Sequence, residues 1–391
     1  MLERRVPLDG HDIPYLYGTD CAQDLADALA RTAGAAESVL FVVDRRVTPH
    51  ALPVIRRLSS HLRTETYEIE ATEPNKTMAL VQDIAEHAVA RRVNRSSLVV
   101  GMGGGLVGNV AGLTAALLFR GTRLVHLPTT PVAAFDSVVS VKQAVNLRGG
   151  KNLCGTYYTP SLIACDLRWL ATVPHSELLT GLAEMAKNVL AITPHMEETL
   201  HDALQVLPKD RTTALQQLFG IGLDSKIPFL GRDPRERKEA LVFEYGHTTG
   251  HALEFMSNGA MKHGEAVAWG MLVAAEVSRN LGVLSHEDLE RHYRIVDWLG
   301  LPDPGRRLAF VDPAELRAKL STDNKRGYVP CGPDEAAMVL LESLGSALTG
   351  SHGYPLVAVD QEAVVSALAT VTAGTNRLEG GERRWTTSSA R

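Results

Sequence analysis

Five glycines crowd into one short stretch, Gly101, Gly103, Gly104, Gly105 and Gly108, directly after an apolar run, Ser97–Val100. A second apolar run, Val110–Phe119, follows at helix length. A strand that stops at glycines and restarts as a buried helix constrains the fold strongly. The backbone can approach a ligand there without a Cβ in the way, and the helix N-terminus offers free N–H groups and a positive dipole end. The spacing is not a clean GxGxxG, so a tight turn with no ligand explains the glycines equally well.

The flanking pattern supports an α/β half. Ser38–Val43 is an uninterrupted apolar run ending at Asp44, as expected of a buried parallel strand. Met78–Arg92 carries Met78, Val81, Ile84, Ala85, Ala88 and Val89 at helical spacing, and Arg123–Leu127 is a third strand closed by Pro128. Strands alternating with helices imply βαβ units and a parallel sheet. Beyond about Val173 the pattern becomes helical: Glu177–Ala191, Thr212–Leu223, His247–Met256, Glu265–Leu281 and Ser285–Leu299. Ala337–Leu341 is a late strand candidate. The expected organisation is a Rossmann-like domain over residues 1–172 and a mainly α-helical domain over 173–374. The polar, aperiodic residues 375–391 read as a disordered tail.

The chain has 391 residues, enough for two domains at ~150 residues each. Its net charge is −5 and no basic stripe stands out, which argues against a nucleic-acid partner. Four cysteines, Cys21, Cys154, Cys165 and Cys331, form no CxxC pair and suit reduced thiols. The first residues lack an apolar signal core, and Val107–Phe119, interrupted by Asn109, is too short to span a bilayer. A cytoplasmic protein with no membrane partner is expected.

Three segments of the helical half carry the chemistry: GLAEMAKNVL (181–190), EYGHTTGHALE (244–254) and KHGEAVAWG (262–270). Glu184, His247 and His263 are a donor set suited to a catalytic zinc with an open position. His251 lies one turn from His247 on the same helix face. Most histidines are surface or satisfied core residues, but three such segments inside apolar helices are costly to bury without partners. Upstream, residues 128–152 read PTTPVAAFDSVVSVKQAVNLRGGKN and bring Asp136, Lys142, Lys151 and Asn152 among small residues. Lysines suit phosphate, and Lys187 and Lys226 add to them. A solvated basic loop is the other reading, although Val138–Val145 is apolar.

In order and spacing these strings resemble the sugar-phosphate cyclases, the family that includes dehydroquinate synthase, over roughly residues 38–345. GGGLVGNVAG is similar to that family's NAD turn, and LPTT, DSVVSVKQAVN and GKN are similar to its nucleotide and substrate loops. GLAEMAK, YGHTTGHALE and HGEAV are similar to its metal and phosphate segments. The resemblance implies NAD and Zn²⁺ as cofactors, with Co²⁺ as a substitute, and a homodimer of two-domain chains. It implies Glu184, His247 and His263 as metal ligands. It implies substrate or phosphate contacts at Lys142, Lys151, Asn152, Lys187, Lys226 and His251. NAD contacts fall at Asp44, Glu73, Lys76, Gly104, Gly105, Thr129, Thr130, Asp136 and Thr172, with Lys142 and Lys151 adjoining them.

The departures are informative. Dehydroquinate synthases carry Asn at the position of Glu244, two glycines at Ser140 and Val141, and Asp at Asn109. They also carry, at the place of Ala240, an Arg that helps bind the substrate carboxylate. Loss of that Arg implies a substrate without one, and the GGGLVGN and FEYGHTTGHALE strings resemble the branch that closes glucose 6-phosphate into a carbocycle. The implied chemistry is that of a carbon–oxygen lyase: transient oxidation at C4, loss of phosphate, re-reduction and aldol closure. Lys142 and Glu244 are the catalytic candidates. The base at C5 is either Glu244 or the substrate's own phosphate. Another cyclase of the family, a metal-dependent alcohol or glycerol dehydrogenase and a non-catalytic partner subunit are the competing readings.

Overall fold

The computed structural model describes residues 1–148 and 150–374, so the tail expected at 375–391 lies outside the described residues. The chain forms two compact units. Unit 1 is Met1–Gly181 with Gln205–Glu236, and unit 2 is Leu182–Leu204 with the chain from Arg237 onward.

Unit 1 opens with a hairpin, β1 (Leu2–Leu8) and β2 (His11–Gly18), followed by α1 (Ala22–Ala33), β3 (Ser38–Asp44), α2 (Thr48–Leu58), β4 (Arg63–Ile69) and α3 (Met78–Ala90). Next come β5 (Leu98–Gly103), α4 (Gly105–Leu117), β6 (Arg123–Pro128), the hairpin β7 (Lys142–Leu147) and β8 (Gly150–Tyr157), β9 (Leu162–Asp166) and α5 (Leu167–Ala171). Helices α6 (His175–Ala191) and α7 (Glu197–Val206) each run from one unit into the other, and α8 (Arg211–Leu230) returns to unit 1.

Seven strands form one sheet in the order β1-β2-β9-β6-β5-β3-β4, parallel except for the β1–β2 pair. Period-two alternation explains why β3 is buried along its whole length. Val39, Phe41 and Val43 face a core with Leu25, Leu29, Val54 and Leu58, while Leu40 and Val42 face another with Ile84, Val107 and Val110. Strand order reverses between β3 and β5. The carboxyl ends of these two strands, Asp44 and Gly103, therefore border the crevice where open α/β sheets bind ligands.

The two compact units divide the chain differently from the expected cut at residue 172, because α8 packs with the sheet. Phe219 stacks on Tyr17 at 4.0 Å between ring centroids and meets Tyr15 and Phe135 edge-on. Asp224 pairs with Arg4. These aromatic and ionic anchors draw α8 back across the boundary. The helix also outruns the expected Leu223 and passes through Pro228.

Unit 2 contains α9 (His247–Met256), α10 (His263–Asn280), α11 (His286–Asp297), α12 (Pro304–Arg307), α13 (Pro313–Leu320) and α14 (Gln361–Ala373). The run Ala337–Leu341, expected as one strand, is split. β10 (Glu335–Met338) pairs with β13 (Val357–Asp360), and β11 (Leu341–Ser343) pairs with β12 (Ser346–Ala347). Val339 and Leu340 leave the ladder and are buried instead. Gly264–Ser278 of α10 are buried on every face, and α9 lies against it so closely that a Cβ on Gly270 would sit 2.0 Å from the Gly246 carbonyl oxygen. Among the described residues no helix is long and apolar enough to cross a membrane.

Candidate metal and cofactor sites

In unit 2, α6 supplies Glu184, the first residue of α9 is His247, and the first residue of α10 is His263. One donor atom from each lies within 4.8 Å of the others. The Oε1 of Glu184 is 3.5 Å from His247 Nε2 and 3.3 Å from His263 Nε2. The far nitrogens are tied back. His247 Nδ1 is 3.0 Å from the Tyr245 carbonyl oxygen, and His263 Nδ1 is 3.0 Å from Glu254 Oε2. A carbonyl and a carboxylate only accept, so each Nδ1 carries a proton, and each Nε2 is the atom that faces Glu184 and would be offered to a cation. A second group fixing each imidazole is how metal-binding histidines are held, and this donor set fits a divalent cation.

The other Glu184 oxygen accepts from Lys187 Nζ at 2.5 Å, one turn along α6, with both side chains 2% exposed. Burial opposes ionisation of Glu184, but the Lys187 and His247 charges and hydrogen bonds from both histidines hold its carboxyl well below the usual range. Burial also opposes charge on His263, yet Glu184 and Glu254 outweigh it and raise its pKa to about 10. His251 lies 5.2 Å from His247 between ring centroids. Burial, then the His247 and Lys325 charges, lower its pKa to about 3, so it is neutral.

In unit 1 the glycines are dictated by packing as well as by approach. A Cβ on Gly103 would lie 2.4 Å from Val107, and one on Gly105 2.7 Å from Ser137 Oγ. Thr129 donates its backbone N–H to the Gly103 carbonyl, and Thr130 Oγ1 accepts from the Ala133 N–H. The hydroxyls of Thr129 and Ser137 are buried and have no hydrogen-bond partner among the described residues. Unfilled hydroxyls beside the N-terminus of α4 fit a phosphate-bearing cofactor. Asp136 binds Lys226 Nζ at 2.5 Å.

The β7–β8 hairpin gathers the remaining lysines. Lys76 is buried and donates to Asn152 Oδ1, while Glu73 accepts from Asn146 on β7. Burial lowers the Lys76 pKa, Glu73 opposes that shift and the neighbouring Lys151 adds to it. Asn152 has a left-handed backbone, φ 57°. Lys142 Nζ is 2.7 Å from Glu236 Oε2. Asp44 is buried and accepts from the backbone N–H and guanidinium of Arg46. Thr172 is exposed and donates back to the Trp169 carbonyl. No hydrogen bond among the described residues joins it to the other cofactor candidates.

The 3-dehydroquinate synthase N-terminal family model matches residues 66–180, and the C-terminal one matches residues 181–326. The chain belongs to the 3-dehydroquinate synthase family. It is 41% identical over 380 residues to the 2-deoxy-scyllo-inosose synthase of Streptomyces paromomycinus, covering 97% of each chain. The crystal structure of 2-deoxy-scyllo-inosose synthase complexed with carbaglucose-6-phosphate, NAD⁺ and Co²⁺ has a TM-score of 0.83 and 29% identity, with 94% of this chain and 99% of that one covered. The 2-epi-5-epi-valiolone synthase of Streptomyces hygroscopicus subsp. jinggangensis 5008, with NAD⁺ and Zn²⁺ bound, has a TM-score of 0.77 and 25% identity, covering 95% of this chain and 99% of that one. The expected fold and family are both met.

This family member also holds residues that motif reading missed. Lys325, only 2% exposed, reaches Asp323 at 3.0 Å and Glu244 Oε2 at 3.5 Å, and its charge is felt at His251. Glu236, with φ 52°, binds both Lys142 and the Ser140 hydroxyl. The sequence signals were faint. Lys325 sits in the polar turn STDNKRG, and Glu236 sits in the charged run GRDPRERKEA.

Proposed function

We propose that this chain converts D-glucose 6-phosphate to 2-deoxy-scyllo-inosose and inorganic phosphate, a step of 2-deoxystreptamine aminoglycoside biosynthesis, as a cytoplasmic homodimer. The observation that carries this reading is a metal-fitted trio, Glu184, His247 and His263, with Glu244 and Lys325 close by on the same unit, in a chain so similar to 2-deoxy-scyllo-inosose synthases. Glu184, His247 and His263 would hold Zn²⁺ or Co²⁺, which supplies charge stabilisation for a substrate oxygen. Gly104, Gly105, Thr129, Thr130, Asp136, Asp44, Glu73, Lys76 and Thr172 would hold NAD, which supplies the reversible oxidation at C4.

The chain's own groups do the rest. Lys142, Lys151, Asn152, Lys187 and Lys226 bind the phosphate and sugar oxygens, and cations on the phosphate favour its departure. Glu236 fixes the direction of Lys142 through a charge-assisted hydrogen bond. His251, kept neutral, offers a hydrogen bond to a sugar hydroxyl without adding charge. Glu244 is partly exposed and its carboxylate is held by Lys325, which suits removal of the C5 proton. Where dehydroquinate synthases have an amide, a carboxylate brings proton affinity.

The test is incubation with glucose 6-phosphate and NAD⁺, following phosphate release, NADH absorbance and product mass. One phosphate per carbocycle with no accumulated NADH is expected; stoichiometric NADH would make the chain a dehydrogenase. Glu244→Gln should lose roughly 10²–10⁴-fold in kcat, the usual worth of a general base. A kcat near that of the native chain, with metal content unchanged, would leave the substrate phosphate as the base.

A further inference from the structure

His292 lies on α11, outside every motif named above, and its imidazole is fully buried. Both nitrogens are engaged. Nδ1 is 2.7 Å from the Asp288 carbonyl oxygen, and Nε2 is 2.9 Å from the Tyr245 hydroxyl. The carbonyl only accepts, so Nδ1 carries the proton and Nε2 accepts the phenolic O–H. Burial lowers the His292 pKa to about 4, which keeps this arrangement neutral. The Met271 carbonyl, 3.3 Å from the same hydroxyl, is a longer second acceptor.

Tyr245 thus acts in two directions. Its phenol, wholly buried, reaches α11, while its backbone carbonyl receives the Nδ1–H of His247. The link between them is stiff. Gly246 has φ 77°, and a Cβ there would meet Met271 and the Val267 carbonyl oxygen at 2.7–2.9 Å. With Gly246 clamped against α10, the Tyr245 carbonyl turns only if the whole tyrosine turns. The ring of that tyrosine is what His292 holds.

We infer that His292 and Tyr245 are positioning residues for the metal: their buried hydrogen bond sets the carbonyl that fixes the tautomer and ring plane of His247. This inference rests on the metal site proposed above. Partners one layer behind a ligand are typically worth 10–100-fold in metal affinity.

The experiment is Co²⁺ titration of the chelator-stripped full chain, read by visible absorption and by competition with Zn²⁺. Tyr245→Phe, which removes one oxygen, and His292→Phe should each weaken Co²⁺ binding about tenfold and shift the absorption band. The double variant should be no weaker than the worse single, because both act through one bond. His292→Gln, which keeps an acceptor, should recover most of the affinity. Activity should return at saturating metal. A lower melting temperature in Tyr245→Phe with native Co²⁺ affinity and band position would overturn the inference and leave a purely structural bond. His247→Ala separates the two readings: if it binds Co²⁺ like the native chain, the metal site itself is misassigned.

Discussion

The two units prepare for their ligands in opposite ways. Unit 1 leaves things open: glycines where side chains would collide, hydroxyls of Thr129 and Ser137 without partners among the described residues, and the N-terminus of α4. In unit 2 the metal-fitted trio is already engaged. Glu184 is engaged by Lys187, His247 and His263, and His263 is engaged again by Glu254. A large cofactor is received by missing atoms, whereas a small cation is received by charges that already balance one another. Damage should therefore be steric in the first unit and electrostatic in the second.

Glu184→Gln should show the electrostatic case most strongly. It removes the carboxylate that pairs with the buried Lys187 cation, and breaking a buried pair on one side costs about 3–5 kcal/mol. Urea denaturation of metal-free protein measures this, and Co²⁺ binding should be lost in the same preparation. A loss below 1 kcal/mol would mean that Lys187 finds water or another carboxylate.

Gly103→Ala is the steric counterpart. The added methyl meets Val107 at 2.4 Å, and overpacking of this kind costs about 1–3 kcal/mol. Calorimetry should show a lower melting temperature, and the KM for NAD⁺ should rise while metal content stays native. Unchanged NAD⁺ binding would detach the glycine turn from the cofactor.

Both contrasts could be drawn in part from the sequence, for local reasons. The glycines are clustered, His247 and His263 fall within two adjoining motifs, and β3 is apolar from Val39 to Val43 because both of its faces are buried. What stayed hidden depended on distant packing. Lys325 and Glu236 sit in polar strings that look solvated, and only the folded chain buries them. The β7–β8 hairpin alternates over too few residues to separate from a loop, with Gln143 and Val145 inward and Lys142 half-exposed. Nor does any pattern within α8 announce that Phe219 will seek the rings of Tyr15 and Tyr17.

The smallest expected effect at neutral pH lies beneath the glycine turn. His126 on β6 is buried, neither ring nitrogen has a partner among the described residues, and burial lowers its pKa to about 4. The unfolded chain takes up this proton near pH 6.5 and the folded chain only near 4. The stability tied to a neutral His126 is therefore complete above pH 6.5 and is lost as pH falls toward 4, by up to about 1.4 kcal/mol per pH unit. His126→Leu should be near neutral at pH 7 and flatten the acid limb of a melting-temperature profile between pH 6.5 and 4. An unchanged slope would assign the acid sensitivity to other groups.

Unit 1 closes only with Gln205–Glu236, so the polypeptide passes between the units at residues 181, 204 and 236. A ribosome that has delivered the whole seven-stranded sheet has not yet delivered α8, the helix against which Tyr15 and Tyr17 pack. The sheet must wait, with that aromatic face uncovered, through the synthesis of Leu182–Leu204, which belongs to the other unit. Neither unit can be lifted out as a continuous gene fragment. A single proteolytic nick at any one passage leaves the other two intact, so the halves remain tethered through the rest of the backbone.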